Sequence, residues 1–147
     1  MQFNPHDYQQ YAIDYILEHP ITAAILDMGL GKTVITLTAI DKLINDEFLI
    51  RKVLVVAPLR VARSTWPNEI KKWDHLQNLK YSVVLGTPKE RMAALSADAD
   101  IYIINRENLP WLLKQDTVVF SHIAGGKIYR IKAYYSDGST RIFRQGI

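Results

Sequence analysis

Short apolar runs rich in β-branched residues alternate with stretches of helical periodicity up to about residue 115. The runs occupy residues 21–26, 51–58, 81–86 and 99–105, and each is followed by a segment with apolar residues at helical spacing. Continuous apolar strands separated by helices are typical of a parallel sheet that is covered on both faces. The sequence therefore predicts an α/β fold with three layers, in which helices flank a parallel sheet.

The pattern changes after Asp116. Residues 117–147 are strand-like throughout, with Gly125-Gly126 and Asp137-Gly138 as turn signals. This pattern predicts a C-terminal antiparallel β-hairpin rather than another strand–helix unit. We therefore expect two parts, a lobe over residues 1–116 and a strand and hairpin extension over residues 117–147.

Charge is unevenly distributed between these parts. Residues 117–147 hold five Lys or Arg against Asp137 alone, a balance of +4, whereas residues 1–116 hold 13 Lys or Arg and 14 Asp or Glu, a balance of −1. A basic extension on a neutral body indicates a polyanionic partner.

Composition narrows the class of protein. Hydrophobic residues make up 48% and charged residues 22% of the chain, values typical of globular proteins. No apolar run is long enough to span a bilayer, the N-terminus has no signal pattern, and there is no cysteine. We expect no membrane association and a cytoplasmic location.

A glycine-rich turn lies between the first predicted strand and the helix after it. It contains Gly29, Leu30, Gly31, Lys32 and Thr33. Glycines let backbone N–H groups turn inward around phosphate oxygens, and the following helix points its positive end at the anion. In a phosphate loop, the lysine reaches the β- and γ-phosphates and the hydroxyl holds Mg²⁺. We predict that Met28 and the five residues after it bind ATP, with Thr33 as the metal ligand, although Leu26 replaces the first glycine of G-x-x-x-x-G-K-[ST].

The same segment, L-D-M-G-L-G-K-T, resembles the first motif of the Swi/Snf-type DNA-dependent ATPases in helicase superfamily two, where D-E-M-G-L-G-K-T is usual. Three further segments resemble family motifs in the same order: P-H-D-Y-Q-Q-Y-A-I-D-Y-I-L, V-L-V-V-A-P-L-R-V-A-R-S-T-W-P-N-E-I-K-K-W and I-Y-I-I-N-R-E-N-L-P-W-L. The resemblance covers roughly residues 3–114 and is strongest to bacterial and phage members. It implies the N-terminal RecA-like lobe of such an ATPase, in a bacterial or phage-infected host cell.

The resemblance also implies nucleotide-base contacts near the N-terminus. Gln9 would contact the adenine, and Phe3 or His6 would lie near the base. From the residues alone, a surface amide on the first helix is the preferred explanation of Gln9.

The later motifs imply contacts with the DNA backbone. Arg60, Arg63 and Asn105 follow strand ends, where a parallel sheet presents its ligands, and the resemblance makes them phosphate contacts. Three apolar residues at helical spacing in the same region, Trp66, Ile70 and Trp73, indicate packing instead.

The acidic pair needed for hydrolysis is not apparent. P-loop enzymes hold Mg²⁺ through an Asp and orient the attacking water with a Glu or Gln. The resembled family carries both in an Asp-Glu box shortly after W-L, but the one adjacent Asp-Glu pair is Asp46-Glu47, before the second strand. Ser121 and His122 stand in the expected positions. We expect a chain truncated before the Asp-Glu box, without the second lobe, and inactive in hydrolysis alone.

Three functional hypotheses follow. The chain is an ATP-binding lobe, or a non-enzymatic binding module that acts as regulator, decoy or inhibitor of a nucleic-acid enzyme, or an ATPase completed by another protein. The extension is a sheet cap, an inserted segment, or a contact surface in which Arg130, Lys132 and Arg141 meet nucleic acid or protein.

Overall fold

The computed structural model describes residues 1–115 in full and, beyond them, the backbone of three strands within residues 118–124, 127–134 and 140–144. Five helices are described: α1 Asp7–Glu18, α2 Lys32–Asp41, α3 Trp66–Lys72, α4 Pro88–Ser96 and α5 Leu109–Leu113. Three strands lie among them: β1 Val53–Ala57, β2 Tyr81–Val84 and β3 Ile101–Asn105. Two π-helical turns, Lys42–Asp46 and Val61–Thr65, adjoin α2 and α3, and 3₁₀ turns occupy Asp74–Leu76 and Arg106–Asn108.

Strands β1, β2 and β3 form a parallel sheet in the order β1-β3-β2. Strand β3 is central: Ile101 pairs with Val53 on one side and with Tyr81 on the other. Every residue of β3 is buried, as expected for a strand covered on both faces. The predicted parallel sheet is confirmed.

Alternate residues along the strands face opposite sides of the sheet, and each side has its own hydrophobic core. On one face, Val55 and Ile103 pack with Leu37 of α2 and Ile70 of α3. On the other face, Tyr102 and Ile104 pack with residues of α4 and α5. Helices therefore flank both faces of the sheet, as predicted.

Residues 21–26 do not form the predicted first strand. They take no place in a sheet, and Ile21 and Ile25 are 88% and 91% exposed. The apolar run predicts a buried strand, but a strand is stable only when its backbone groups pair with a neighbour. In the described part of the chain, no strand pairs with residues 21–26. The parallel sheet therefore has three strands rather than four.

The extension contains three strands, β4 Val118–Ala124, β5 Lys127–Tyr134 and β6 Thr140–Arg144, which pair antiparallel in the order β4-β5-β6. A two-residue turn at Asp137-Gly138 would pair Tyr134 with Arg141, whereas the backbone pairs Tyr134 with Thr140. Both predicted turns, and all side chains of the extension, lie outside the described residues. None of the helices described here has the length and apolarity needed to cross a membrane.

Candidate nucleotide-binding site

The phosphate loop runs directly into α2. Helix α2 begins at Lys32, and the residue before it, Gly31, has φ 81°. Gly29 also has a positive φ of 84°. Only glycine adopts these angles without strain, so the two glycines give the loop a shape that other residues would resist.

The Lys32 side chain folds back over the loop. Its Nζ donates hydrogen bonds to the backbone carbonyl oxygens of Leu26 at 2.6 Å and Asp27 at 2.9 Å. These carbonyls hold the ammonium group beside the turn where an anion would bind. A phosphate bound at the loop would accept hydrogen bonds from the same Lys32 ammonium group.

Gln9 ties α1 to the phosphate loop. Its side chain is only 7% exposed; Oε1 accepts from the His6 backbone N–H at 3.0 Å, and Nε2 donates to the Leu30 carbonyl oxygen at 3.3 Å. The Tyr8 hydroxyl donates to the same carbonyl at 3.2 Å. The interpretation of Gln9 as a surface amide is therefore wrong, because the amide is buried against the loop.

A side chain at Gly31 would have to displace the end of the Gln9 side chain. A Cβ placed there would lie 2.7 Å from Gln9 Nε2, closer than any relaxed contact. At Gly29, by contrast, a Cβ would meet nothing within 4 Å. The loop is thus packed against protein at Gly31 and open at Gly29.

The residues present fit a phosphate group bound with a metal ion. The open side at Gly29, the first amides of α2 and the Lys32 ammonium supply donors of positive potential. The Thr33 hydroxyl is half-buried and makes no hydrogen bond with another described residue, which leaves its oxygen able to act as a Mg²⁺ ligand. Met28, at the start of the loop, is 95% exposed.

Phe3 and His6 occupy different environments. The Phe3 ring lies 5.3 Å from the rings of both Trp73 and His75, in an edge and a stacked arrangement. His6 is exposed and stacks on Tyr8 at 5.9 Å. Their proximity to an adenine stays a prediction. Trp66, Ile70 and Trp73 belong to the core beside the sheet, which confirms that their spacing reflects packing.

His75 is held in a partly buried position behind α2. Its Nε2 lies 2.9 Å from the Thr38 hydroxyl, and its Nδ1 is buried without a hydrogen-bond partner. Burial lowers the pKa of His75 below 6.5, although the carboxylates of Asp41 and Asp74 act in the opposite direction.

The predicted DNA-contact residues differ in their accessibility. Arg60 and Arg63 follow β1, are exposed, and form no ion pair with another residue of the described part. Asn105 is only 5% exposed at the end of β3. Its Nδ2 donates to Glu107 Oε2 at 2.9 Å, and its Oδ1 accepts from Asn108 Nδ2. A contact between Asn105 and DNA would require these bonds to break.

Sequence reasoning missed the residue behind this network, Arg91. It is 9% exposed on α4, donates through Nη1 to Asn108 Oδ1, and lies with its guanidinium 4.2 Å from the centre of the Trp111 ring. An arginine in a polar helical segment carries no signal that it will be buried, so pattern alone could not identify it.

Among residues 1–115, the structure brings no Asp-Glu pair to the loop. Asp46 ends the π-helical turn after α2, at the opposite end of that helix from Lys32, as the sequence order predicts. Strand β4, which carries Ser121 and His122, pairs with β5 and not with the parallel sheet. The described residues contain no group of three His, Asp or Glu side chains placed to hold a metal ion. The structure describes only the backbone of the strands that carry Arg130, Lys132 and Arg141, and not these side chains.

Comparison with known proteins gives matches over most of the chain. The family described as SNF2-related domain matches residues 8–131. Protein p41 of Acyrthosiphon pisum secondary endosymbiont phage 1 is 38% identical over 135 residues, which cover 90% of this chain and 29% of p41. The Sulfolobus solfataricus SWI2/SNF2 ATPase core in complex with dsDNA superposes with a TM-score of 0.58 at 22% identity, over 79% of this chain and 23% of that one. The chain thus spans less than a third of the length of either protein.

Proposed function

Because this chain belongs to the SNF2-related domain family, we propose that it is the ATP-binding lobe of a helicase-like DNA-dependent ATPase. In this proposal residues 28–33 bind ATP with Mg²⁺, Thr33 holds the metal ion, and Gln9 contacts the adenine. The protein would act in the cytoplasm of a bacterial or phage-infected cell.

The observation that carries the proposal is the geometry of the loop before α2. Gly29 and Gly31 both have positive φ, and the Lys32 ammonium lies on the backbone carbonyls of Leu26 and Asp27. A phosphate competes well for an ammonium group because it carries a full negative charge, whereas a carbonyl oxygen carries only a partial one. ATP would therefore draw Lys32 from the carbonyls to its own phosphates.

DNA is proposed as the second ligand. The S. solfataricus protein of similar fold is in complex with dsDNA. Here Arg60 and Arg63 are exposed cations without an ion-pair partner among the described residues, so both are available for DNA phosphates. Asn105 would hold the loop after β3 in position and reach DNA only after a rearrangement.

We further propose that the lobe does not hydrolyse ATP efficiently alone. The sequence has no Asp-Glu box after W-L, and its one adjacent Asp-Glu pair follows α2. Without an acidic pair to hold the metal ion and orient the attacking water, this lobe would retain bound ATP.

Titration of a fluorescent ATP analogue with Mg²⁺ tests the site. Replacing Lys32 removes a charge-assisted bond worth about 1.5–3 kcal/mol, so Lys32→Ala should weaken binding about 10- to 100-fold. Lys89→Ala, an exposed lysine in the first turn of α4, is the matched control and should bind like the unmodified protein. Equal, weak binding by all three proteins would remove the basis of the proposal.

Phosphate release measured with and without double-stranded DNA tests the second part. The expected rate is close to background in both conditions. A robust rate that DNA stimulates, and that Lys32→Ala abolishes, would contradict the proposed inactivity while leaving ATP binding intact.

A second candidate is a non-enzymatic regulator, decoy or inhibitor of a nucleic-acid enzyme. The uneven charge favours it, because the extension carries a balance of +4 on a lobe that lacks the acidic pair. This candidate requires a partner bound through the extension whether or not ATP is present. Loss of partner binding on Lys32→Ala would speak for the ATP-binding lobe instead.

A further inference from the structure

Two side chains from the first turn of α1 donate to a single carbonyl of the phosphate loop. The Tyr8 hydroxyl donates to the Leu30 carbonyl oxygen at 3.2 Å, and Gln9 Nε2 donates to the same oxygen at 3.3 Å. A carbonyl oxygen has two lone pairs, so it accepts both hydrogen bonds at once. Gln9 already has a role in the proposed function, whereas Tyr8 has none.

The direction of this carbonyl fixes the direction of an amide in the same peptide unit. The peptide bond between Leu30 and Gly31 is trans and planar, so the Leu30 C=O and the Gly31 N–H point in opposite directions. Because the carbonyl points at its two donors on α1, the Gly31 N–H points away from α1. It donates to no backbone group among the described residues, and Gly31 directly precedes α2, where a bound phosphate would lie.

The backbone of the loop does not hold this peptide unit by itself. Gly31 has a positive φ of 81°, but glycine adopts positive and negative φ about equally readily, so the unit can rotate with little steric resistance. A contact from outside the loop is therefore needed to keep the Gly31 N–H in one direction, and the two donors of α1 supply it. A donor that is already oriented binds an anion more tightly, because no conformational entropy is lost in ordering it.

We propose that Tyr8 is a positioning residue of the phosphate site, whose hydroxyl orients the Gly31 N–H as a donor to a phosphate oxygen. This role rests on the proposed function, since it requires a phosphate group at the loop. It places the effect of Tyr8 at the phosphate end of the ligand, whereas the adenine contact belongs to Gln9. Tyr8 should therefore contribute equally to the binding of ATP and of a triphosphate that has no base.

Calorimetric titration of the full chain with ATP and with inorganic triphosphate, both with Mg²⁺, tests the proposal. Tyr8→Phe removes the hydroxyl and keeps the ring, which stacks on His6 at 5.9 Å. Loss of one neutral hydrogen bond should weaken the binding of both ligands about 2- to 10-fold, by the same factor. Tyr11→Phe, on the same helix and 70% exposed, is the matched control and should bind both ligands like the unmodified protein.

The amide resonance of Gly31 in NMR spectra reports the orientation directly. It should shift when triphosphate saturates the unmodified protein, and should shift less in saturated Tyr8→Phe. Weaker binding of ATP but normal binding of triphosphate by Tyr8→Phe would overturn the proposal, because Tyr8 would then act on the base.

Reduced stability in urea with normal binding of both ligands would overturn it as well, since the role of Tyr8 would be structural alone. A Gly31 resonance that does not respond to bound triphosphate would overturn the role of Tyr8 and leave the proposed function intact. Failure of the unmodified protein to bind either ligand would overturn both.

Discussion

At the scale of single residues, the phosphate loop depends on a few contacts with its neighbours. Gln9 fixes the Leu30 carbonyl from one side, and Lys32 binds the carbonyls of Leu26 and Asp27 from the other. The loop is therefore held in shape by a side chain from α1, distant in sequence, and by the lysine at its own end. Gly31 is the residue at which backbone conformation and close packing act together.

The two glycines of the loop offer a matched comparison. Alanine at either site carries the strain of a left-handed backbone, about 1–2 kcal/mol. At Gly31 the new Cβ also displaces Gln9, whereas at Gly29 it enters open space. Urea unfolding should therefore show a larger loss of stability for Gly31→Ala than for Gly29→Ala, and Gly31→Ala should bind the ATP analogue more weakly. Equal losses at the two sites would contradict the packing of Gln9 on the loop.

His75 should make the free energy of unfolding depend on pH. Burial lowers its pKa in the folded state below 6.5, so the unfolded chain binds the proton more readily than the folded one. The contribution is constant above pH 6.5, and stability falls as the pH drops below that value toward the lowered pKa. Urea unfolding at about pH 7.5 and about pH 5.5 should show this fall.

Substitution separates His75 from the other titrating groups. His75→Gln should flatten the dependence relative to the unmodified protein. The lowered pKa of Glu90, caused first by the Thr87 backbone N–H, acts below 4.5 and so outside this window. An unchanged slope in His75→Gln would show that another group is responsible.

At the scale of elements, the end of β3 is built around a chain of polar side chains. Arg91 on α4 donates to Asn108, Asn108 donates to Asn105, and Asn105 donates to Glu107. The Glu107 backbone N–H, and then the Asn105 amide, hold the pKa of Glu107 below its ordinary value. This network fixes the turn between β3 and α5, and it gives Asn105 a structural role whether or not DNA binds nearby.

Asn105→Ala should therefore lower the free energy of unfolding. The substitution leaves the half-buried Asn108 amide without its acceptor, at a cost of up to about 1–3 kcal/mol. Arg63→Ala, at an exposed site, should leave stability nearly unchanged and weaken DNA binding alone. Thermal unfolding and DNA titration of both variants make the distinction. An Asn105→Ala protein of unchanged stability but reduced DNA affinity would show that Asn105 contacts DNA directly.

Much of the parallel sheet was predictable because its strands are short, apolar and bounded by turn residues, as at Val53–Ala57 and Ile101–Asn105. The strand predicted for residues 21–26 was wrong, because an apolar run does not show whether a neighbouring strand exists to pair with it. Periodicity also failed at Gln9 and Arg91, whose burial depends on contacts between distant segments. The loop residues themselves were predictable because their backbone angles require glycine.

At the scale of the whole molecule, charge divides the chain into two parts. Residues 1–116 carry a balance of −1, and residues 117–147 carry a balance of +4. Under the proposed function, DNA phosphates would therefore be attracted to the extension as well as to Arg60 and Arg63 of the lobe.

The salt dependence of DNA binding reports how many phosphates the extension neutralises. For duplex DNA the slope of log K against log salt is about −0.9 for each phosphate contact, so neutralising Arg130, Lys132 and Arg141 together should reduce its magnitude by about 2 to 3. Replacing Lys71, Lys80 and Lys89 instead removes three exposed lysines of the lobe and keeps the extension intact. This control should keep the slope. If the extension triple variant also keeps it, the cations of the extension do not meet DNA, and the phosphate contacts belong to Arg60 and Arg63 after β1.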